Sequence, residues 1–429
     1  MTQPHSNNFS YDTIVIGGGP AGLMAAGTAA ARGARVLLLE KNSQLGKKLL
    51  ITGGGRCNIT NSERNVRTLL ANYKVSQDFL FSAFAQYGVE DTLNFFHGRG
   101  LMTKEENDKR LFPTTDKAAS VLHVLLQYIA DGQVNVVTNA AVSKIHQSSV
   151  TKSIESVELA DGTIYTASSY IIATGGLSRP ETGSTGDGFR WLESLGHSVI
   201  KPDPSLVPLT LNEPWIRDLA GVTLPEVKIS VRTKQGTEFS RLGKILFTHV
   251  GVSGPTILNL SKQVGELLPY GVVTLELDLF PKLDHGALNT TFVSLFRAQS
   301  NKQFKNTLPS LLPHSFARVV VALSKIDPEL PCHSLAKEAR KNLVSLLKSF
   351  PLTVKGLLGT DKAIVTSGGV ALAEVNFRTM QSRLYPNLYL TGDILNIDRP
   401  SGGYSLQLCW TTGFVAGNAV PVPSEATQD

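Results

Sequence analysis

The chain has 429 residues, of which 42% are hydrophobic and 18% charged, values typical of a soluble globular protein with two or three domains. Its formal net charge of +6 is a modest basic excess that leaves nucleic acid open as a partner without arguing for it. Cys57, Cys332 and Cys409 are far apart and form no C-x-x-C pair, so the sequence predicts neither a disulfide framework nor a zinc site. We therefore expect a reducing, cytoplasmic compartment. The polar N-terminus lacks a basic stretch followed by an apolar run, so we expect no signal peptide and no membrane association.

The first forty residues have the pattern of a dinucleotide-binding βαβ unit. Thr13–Ile16 predicts a buried parallel strand, Ala21–Ala31 a helix, and Ala34–Leu39 a second buried strand. Between the first strand and the helix, three glycines have G-x-G-x-x-G spacing, which permits a tight turn, close approach of a pyrophosphate and helix packing: Gly17, Gly19 and Gly22. Glu40 follows about twenty residues on, where an acid accepts a hydrogen bond from a ribose hydroxyl. The sequence therefore predicts a dinucleotide site at the start of this helix.

The next segment, residues 41–61, reads KNSQLGKKLLITGGGRCNITN. Its glycines interrupt regular structure, so we expect a loop that begins with a short helical stretch. Successive glycine N–H groups form a nest for an anionic or carbonyl oxygen. The segment is also rich in hydrogen-bond donors: Lys47, Lys48, Thr52, Arg56, Asn58, Thr60 and Asn61. We interpret it as a ligand-contacting loop; a flexible surface loop is the alternative.

Residues 62–196 are expected to complete the first part of this domain. Residues 62–130 have mainly helical spacing, with helices at Phe79–Tyr87 and Ala118–Ile129 and an exposed, charged segment, Lys104–Phe112, between them. Strands are predicted at Val134–Thr138, Ala141–Ile145, Ser156–Leu159 and Tyr170–Gly176, with a hairpin turn at Asp161–Gly162 and a later helix at Phe189–Leu195. The strand that ends at Gly176 brings a glycine turn to the carboxyl edge of the sheet, where such folds bind ligands.

The composition changes near residue 197, and five prolines fall within residues 202–225. Strand-like pieces at Leu206–Leu211, Glu226–Arg232 and Val272–Leu277 predict an inserted, largely antiparallel β domain. Within it, Ser253 and Pro255 suit the N-cap and first turn of a helix, and capping explains this motif as well as a ligand role does. His249 either faces a substrate or is a structural histidine. A small helical segment follows, with helices at Ala287–Gln299, Leu308–Leu312, Phe316–Leu323 and Leu335–Ser349.

From residue 357 the chain is expected to return to the first domain. Ala363–Thr366 and Leu388–Thr391 are predicted strands, and Asp393 follows the second one, placed to accept a hydrogen bond from a polyol or ribose hydroxyl. A glycine turn at Ser401–Tyr404 leads into a predicted helix, Ser405–Ala419. The N-terminus of such a helix stabilises the negative charge near the pyrimidine edge of a reduced flavin, so a flavin matches best. An ordinary strand–helix packing turn is the alternative.

These motifs together resemble the bacterial BaiN/RdsA family of FAD-dependent oxidoreductases, which includes enzymes called aminoacetone oxidases. The blocks are spread over nearly the whole chain: GGGPAG (17–22), ITGGGRCN (51–58), TGSTGDG (182–188), FTHVGVSGP (247–255) and GDILNIDRPSGGY (392–404). The resemblance implies an α/β fold, a Rossmann-like FAD-binding domain of the glutathione-reductase type with an inserted antiparallel β domain and a small helical segment. The expected boundaries are 1–196 and 357–429 for the FAD-binding domain, 197–281 for the β domain and 282–356 for the helical segment.

The glycine motifs and the resemblance together predict which residues contact FAD. They are Gly17, Gly19, Pro20, Ala21, Gly22, Glu40, Lys41, Lys48, Thr52, Gly54, Arg56, Cys57, Asn58, Val142, Thr174, Gly175, Gly176, Gly392, Asp393, Gly402, Gly403, Tyr404 and Ser405. Two departures from the family pattern affect substrate assignment more than cofactor binding. The family usually has Glu-x-Leu-Asp where residues 393–396 of this chain are Asp-Ile-Leu-Asn. It usually has Gly-Gly-Tyr-Asn where residues 402–405 of this chain are Gly-Gly-Tyr-Ser.

Activities within the family diverge, so the resemblance implies several reactions. We expect NAD(P)H-dependent reduction of an electron-poor C=C bond, with uridine of 23S ribosomal RNA as one substrate and dihydrouridine as its product. The alternatives are a small-molecule amine or ketone oxidase and a non-catalytic flavoprotein that binds a partner. No second G-x-G-x-x-G with a distal acid occurs, so NAD(P)H is expected to visit the flavin transiently. Cys57, His249 and Tyr404 are candidate proton donors; Cys57 as a packed residue and Tyr404 as a flavin-stacking one are the alternatives.

Overall fold

The computed structural model of the chain describes residues 10–148, 150–359 and 365–422. The chain divides into two compact units, residues 1–204 with 363–429 and residues 205–362. The first residues of the N-terminal stretch, on which the expectation of no signal peptide rests, lie outside the described part, as do the first two residues of the predicted strand Ala363–Thr366.

The secondary structure alternates strands and helices in the first unit and then changes to a β-rich pattern. The strands are β1 Ser10–Ile16, β2 Val36–Leu39, β3 Thr60–Asn61, β4 Thr103–Glu106, β5 Arg110–Pro113, β6 Asn135–Val137, β7 Val142–Gln147, β8 Ile154–Leu159, β9 Ile164–Ile172, β10 Val199–Ser205, β11 Leu209–Leu211, β12 Thr223–Thr233, β13 Gly236–Phe247, β14 Gly251–Ser253, β15 Thr274–Asp278, β16 Phe350–Leu357, β17 Val365–Val370 and β18 Leu388–Leu390. The helices are α1 Pro20–Ala31, α2 Lys47–Leu50, α3 Val66–Leu70, α4 Gln77–Gln86, α5 Val89–His97, α6 Ala118–Asp131, α7 Asp187–Ser194, α8 Pro255–Leu267, α9 His285–Ala298, α10 His314–Ser324, α11 Lys337–Lys348 and α12 Tyr404–Ala419.

A seven-stranded sheet forms the centre of the first unit, as far as its described residues show. Its order is β6-β2-β1-β9-β8-β7, and β18 pairs with β9. The strands β6, β2, β1, β9 and β18 are parallel, whereas β7 and β8 pair antiparallel with their neighbours. The parallel strands are continuous apolar runs because both faces of such a sheet are covered. This is the Rossmann-type arrangement that the first forty residues predict.

Helices α1 and α12 pack closely against each other through small residues. A Cβ on Gly413 would lie 2.4 Å from Ala21 O, and a Cβ on Gly417 would lie 2.4 Å from Ala25 O. Side chains at these two positions would therefore separate the helices. The close contact places the N-termini of α1 and α12, both of which begin at glycine turns, in the same unit of the fold.

The charged segment Lys104–Phe112 is largely exposed or half-buried, as expected from its composition, but it belongs to a small sheet and not to a helical region. It is a β-hairpin in which β4 pairs with β5, and β5 pairs in turn with β3. Asp108 and Lys109 have positive φ in the turn, while Leu111 and Phe112 are buried. Charge dominates the composition of this segment, but its buried strand β5 has only a few apolar residues and gives too short a pattern to recognise.

The second unit is a closed barrel in the order β11-β14-β13-β12-β15-β16, with antiparallel pairing throughout. Helices α9, α10 and α11 share one hydrophobic core with the barrel. Pro255 occupies the first turn of α8 as predicted, but Ser253 is not the N-cap. Gly254 takes that position with φ 101°, a conformation that favours glycine.

In the described part of the chain, every helix is too short or too polar to span a lipid bilayer.

Candidate cofactor site

A cavity of about 330 Å³ lies in the first unit and receives residues from separate parts of the chain. It is within the size range of small-molecule sites, ~300–1,000 Å³. We call it the cofactor cavity. Its lining is Ile16, Gly17, Gly18, Gly19, Pro20, Ala21, Leu39, Glu40, Lys41, Asn42, Gly46, Lys47, Lys48, Leu49, Thr52, Ala140, Ala141, Val142, Ala173, Thr174, Gly175, Thr182, Gly183, Ser184, Asp187, Trp191, Thr391, Gly392, Asp393, Ser405, Leu406 and Cys409. Part of this lining lies at or just beyond the carboxyl ends of β1, β2, β9 and β18, the edge where parallel sheets of this kind bind ligands.

The turn from β1 into α1 has room for a ligand at one glycine and close backbone contact at two others. A Cβ on Gly22 would lie 1.8 Å from Gly17 O, and a Cβ on Gly17 would lie 2.5 Å from Ala173 O. At Gly19 a Cβ would meet no protein atom within 4 Å. Helix α1 starts at Pro20 with no side-chain cap and no acid in its first turn, which leaves its N–H groups for an anion.

Glu40 is held in place by three N–H groups. Its Oε2 accepts from Gly18 N at 2.8 Å, and its Oε1 accepts from the backbone N and side-chain Nδ2 of Asn42 at 2.8 and 2.7 Å. The side chain is buried and the carboxylate lines the cofactor cavity. A carboxylate has about four acceptor positions, so Glu40 retains acceptor capacity for a ligand hydroxyl.

Thr174 carries a polar atom that the protein itself leaves without a partner. Its Oγ1 is buried and finds no hydrogen-bond partner among the described residues. Thr174 lines the cofactor cavity directly after Ala173. Because Thr174 also lines the cavity, its hydroxyl is available to a polar group of a bound ligand.

Lys41 and Asp187 form an ion pair at a further part of the cavity wall. Lys41 Nζ donates to Asp187 Oδ2 and to Thr185 Oγ1, both at 2.6 Å. Burial would raise the pKa of Asp187, but Lys41 and Thr185 outweigh it and hold this pKa below its usual value. Asp187 therefore remains a carboxylate at neutral pH.

Asp393 forms a cluster of charged side chains with Lys48 and Arg399. Lys48 Nζ lies 3.6 Å from Asp393 Oδ2 and donates to Ser178 Oγ at 2.6 Å. Arg399 Nη2 donates to Asp393 Oδ1. Burial would raise the pKa of Asp393, but Arg399 and Lys48 outweigh it and lower this pKa. Burial lowers the pKa of Lys48 despite the nearby carboxylate.

Many of the residues predicted to contact FAD come together in this cavity. They are Gly17, Gly19, Pro20, Ala21, Glu40, Lys41, Lys48, Thr52, Val142, Thr174, Gly175, Gly392, Asp393 and Ser405. Other predicted residues lie outside the lining: Gly22, Gly54, Arg56, Cys57, Asn58, Gly176, Gly402, Gly403 and Tyr404. Their contact with the cofactor stays a prediction.

Arg56 and its two successors have surroundings of their own. Arg56 Nε donates to Asp116 Oδ1 at 2.9 Å, a second ion pair joins it to Glu106, and its guanidinium lies 4.2 Å from the Phe112 ring centroid. Cys57 has φ 63° and is fully buried. Burial raises the pKa of its thiol to about 12. Asn58 Oδ1 is buried and has no partner among the described residues.

The other two candidate proton donors lie in different units. Tyr404 begins α12 and is partly buried, and the centroid of its ring lies 5.9 Å from that of Tyr73. Burial raises the pKa of its phenol. His249 is exposed in the turn between β13 and β14 of the second unit.

Several residues of the cavity wall were absent from the prediction, chiefly Asn42, Asp187, Trp191 and Cys409. Asp187 belongs to the TGSTGDG block, so that block was the available signal. Trp191 lies four residues later on α7, one helical turn away and on the same face. Cys409 and Leu406 lie on α12, where the pattern of small and apolar residues does not distinguish a packed side chain from a cavity wall.

These observations fit FAD as the resident cofactor. The N-terminus of α1 is free for a pyrophosphate, Glu40 and Asp393 offer carboxylates to hydroxyl groups, and Thr174 has an unsatisfied hydroxyl. In the described residues, no group of three or more His, Cys, Asp and Glu side chains is arranged to hold a metal ion.

Comparison with protein families gives a match that covers almost the whole chain. The family model described as "HI0933-like protein Rossmann domain" matches residues 11–419. A 3-dehydro-bile acid delta(4,6)-reductase from Clostridium scindens is 31% identical over 94% of this chain and 98% of its own length. A ribosomal RNA dihydrouridine synthase from Escherichia coli is 30% identical over 94% of this chain and 96% of its own length.

Solved structures show the same fold at low identity. A 3-ketosteroid-delta4-(5alpha)-dehydrogenase from Rhodococcus jostii matches with a TM-score of 0.51 and 13% identity, covering 98% of both chains. A 3-ketosteroid delta1-dehydrogenase from Sterolibacterium denitrificans matches with a TM-score of 0.53 and 12% identity, covering 96% of this chain and 99% of that one. At this identity the likeness concerns the fold alone.

Proposed function

The chain belongs to the HI0933-like, or BaiN/RdsA, family of FAD-dependent oxidoreductases, and from this premise we propose that it reduces an electron-poor C=C bond with NAD(P)H. The observation that carries the proposal is the pair of relatives near 30% identity over almost the full chain. The name of each denotes the reduction of a carbon–carbon double bond. FAD, when bound, supplies the hydride chemistry.

We propose uridine in 23S ribosomal RNA as the substrate, and the distribution of charge favours this polyanion. Residues 205–362, the second unit, contain 19 Lys and Arg against 12 Asp and Glu. The rest of the chain contains 22 against 23, so the basic excess of the protein lies entirely in the second unit. Neutralising phosphates with Lys and Arg is the main source of affinity for nucleic acids.

The residues of the chain have separate roles in this proposal. The N–H groups at the start of α1 bind the cofactor pyrophosphate, and Glu40 and Asp393 orient its hydroxyl groups. We assign the proton to Tyr404 because it precedes Ser405 and Leu406 of the cavity wall in the first turn of α12, and burial, which raises its pKa, keeps the phenol protonated at neutral pH. Cys57 is fully buried, so we rank it behind Tyr404, and His249 stays an alternative donor.

The direct test is the ribosomal RNA of a strain that lacks the gene. We expect mass spectrometry to show loss of dihydrouridine from 23S RNA and its return with the wild-type gene. A gene that encodes Gly19→Asp is the matched control, because a carboxylate at this open position would repel the pyrophosphate. Unchanged dihydrouridine in the deletion strain would remove RNA as the substrate.

A small unsaturated ketone is the second candidate substrate, favoured by the 31% identity to the bile acid reductase. Purified protein with NAD(P)H and a 4,6-dien-3-one steroid would then form the reduced steroid under anaerobic conditions. Rapid oxygen consumption with an amine would instead indicate the oxidase alternative. Failure of NAD(P)H to reduce the bound flavin would favour a non-catalytic partner protein.

A further inference from the structure

The side chain of Arg399 is fully buried beside the cofactor cavity and is bound on three sides. Its side chain has 0% exposure. Its Nε donates to Ser405 Oγ at 3.0 Å, its Nη1 donates to Ile397 O at 2.8 Å, and its Nη2 donates to Asp393 Oδ1. Arg399 itself is absent from the cavity lining, whereas Asp393 and Ser405 belong to it. The guanidinium therefore supports two residues of the wall from behind.

Burying a guanidinium is costly unless hydrogen bonds and an opposite charge compensate it. Arginine stays protonated in proteins, so a positive charge is fixed at this point at any physiological pH. Asp393 supplies the opposite charge, and the ion pair fixes the direction in which this carboxylate faces. Without Arg399, Asp393 would be a buried carboxylate with only Lys48 nearby, at 3.6 Å.

The helix that follows strengthens the positive potential at the same place. Helix α12 has no side-chain cap and no acidic residue in its first turn, and Ser405 lies in that turn. A helix of 16 residues carries roughly half a positive charge at its N-terminus. Arg399 thus adds a full charge where the chain already presents a partial one.

We propose that Arg399 is a positioning residue for FAD, which holds Asp393 ionised and oriented as an acceptor for a cofactor hydroxyl and makes the bound flavin easier to reduce. Removing the positive charge leaves the Asp393 carboxylate with Lys48 as its nearby counter-charge, and the more negative surroundings disfavour the electron-rich reduced flavin. The inference rests on FAD binding and not on the identity of the substrate.

The test compares Arg399→Gln with Arg399→Lys in protein loaded with FAD. For Arg399→Gln we expect FAD affinity to fall at least tenfold, and reduction to become about tenfold less favourable, which is about 30 mV for a two-electron couple. Lysine keeps the charge but not the planar fork, so Arg399→Lys should restore most of the potential and less of the affinity. Fluorescence titration measures the affinity, and anaerobic titration with dithionite and a reference dye measures the potential.

Arg190→Gln is the matched control. Arg190 also pairs with an aspartate of the cavity wall, Asp187, but its side chain is 65% exposed. Exposed ion pairs contribute little free energy, so we expect Arg190→Gln to change the FAD affinity and the equilibrium of flavin reduction by less than about threefold. Equal effects of Arg190→Gln and Arg399→Gln, or an unchanged potential in Arg399→Gln, would overturn the proposal.

Neither titration uses NAD(P)H, RNA or steroid, so failure of the proposed function does not affect the outcome. If Arg399→Gln does not fold, the FAD affinity and the flavin potential of Arg399→Lys are compared with those of wild type to test the proposal. Circular dichroism of the apoprotein reports folding, and a lysine variant that folds but matches wild type in both affinity and potential would contradict the role of the fork.

Discussion

His197 Nδ1 lies 2.8 Å from Glu374 Oε2, and the pair joins segments that are 177 residues apart in sequence. His197 Nε2 lies 2.9 Å from Ser382 Oγ. That oxygen also accepts hydrogen bonds from the backbone N–H groups of Leu384 and Tyr385, at 3.0 and 3.1 Å. Both of its lone pairs are occupied, so its proton goes to Nε2 and the proton of His197 resides on Nδ1. A serine, a histidine and a glutamate joined in this order resemble a hydrolytic triad. Ser382 and His197 are buried, however, so this series of hydrogen bonds has a structural role.

We predict that Glu374→Ala lowers the free energy of unfolding by about 1–3 kcal/mol, because it leaves the buried Nδ1–H and the Ser198 N–H without an acceptor. Urea denaturation of the apoprotein measures this change. Glu193→Ala, at an exposed position of α7, is the control and should remain within about 0.5 kcal/mol of wild type. Equal stability of the two variants would show that the chain of hydrogen bonds contributes nothing.

The same carboxylate predicts a pH dependence. Burial would raise the pKa of Glu374, but hydrogen bonds from Ser198 and His197 outweigh it and leave this pKa below its ordinary value. A lowered pKa in the folded state means that the stabilisation is complete above the ordinary pKa of about 4.3 and is lost as the pH falls below it. The difference in unfolding free energy between wild type and Glu374→Gln should therefore shrink on going from pH 6 to pH 3. A difference that is constant over this range would contradict the assignment.

Gly19 and Gly22 belong to one motif, but we expect opposite effects from alanine at the two positions. Gly19 has φ −80°, which suits any residue, and its Cβ would meet no protein atom within 4 Å. Gly19→Ala should leave apoprotein stability within about 0.5 kcal/mol and weaken FAD binding at least about tenfold, or ~1.4 kcal/mol. At Gly22 a Cβ would lie 1.8 Å from Gly17 O, so Gly22→Ala should destabilise the apoprotein by about 1–3 kcal/mol.

Thermal unfolding of the apoproteins and FAD titration distinguish the two effects. A Gly19→Ala protein that binds FAD as wild type does would show that the cofactor backbone does not approach this turn. A stable Gly22→Ala apoprotein would show that the contact with Gly17 relaxes easily.

The sequence predicts those elements whose local residue pattern matches their burial in the folded protein. Strand β1, helix α1 and strand β2 agree with their predicted positions to within two or three residues, because the strands are buried on both faces and the glycines mark the turn. The hairpin at 103–113 was missed because its alternation is short and its charges are conspicuous. Arg399 was also missed, since a single arginine in a polar loop carries no pattern and its burial depends on residues brought near it by folding.

The motif blocks illustrate the same limit for the site. Asn61 Nδ2 donates to Gly402 O at 3.1 Å, and Thr60 Oγ1 donates to Gln407 Oε1 at 2.6 Å. These contacts join the loop of residues 41–61 to the glycine turn before α12 and to the first turn of α12 itself, more than 340 residues away in sequence. Each block alone indicates a ligand-contacting loop but not which of its side chains face the cavity. Arg56 and Cys57, prominent in the sequence, lie outside the cavity lining, whereas Asp187 and Trp191 belong to it.

Thr174→Val tests the unsatisfied hydroxyl in the cavity wall. The described residues provide no partner for Thr174 Oγ1, so valine should leave the apoprotein equally stable or slightly more stable. If the hydroxyl binds FAD, the variant should lose about 0.5–1.5 kcal/mol of FAD affinity. Thr13→Val is the matched control, because Thr13 Oγ1 is likewise buried without a described partner but lies in β1 outside the cavity lining. Equal FAD affinity of both variants would mean that Thr174 does not contact the cofactor.

Tyr404→Phe tests the proposed proton donor in the half-reaction where a proton is needed. We expect reduction of the substrate by the reduced enzyme to slow by ~10²–10⁴-fold, while flavin reduction by NAD(P)H stays within about threefold. Because burial raises the pKa of Tyr404, the wild-type rate should be flat through neutral pH and fall only in alkaline solution. Stopped-flow absorbance of the flavin measures the two half-reactions separately.

Tyr73→Phe is the control for Tyr404→Phe, since Tyr73 Oη donates to Tyr404 O at 2.8 Å and the two rings pack against each other. Equal slowing of both half-reactions in Tyr404→Phe would indicate a misplaced cofactor, and an unchanged substrate half-reaction would assign the proton to another group.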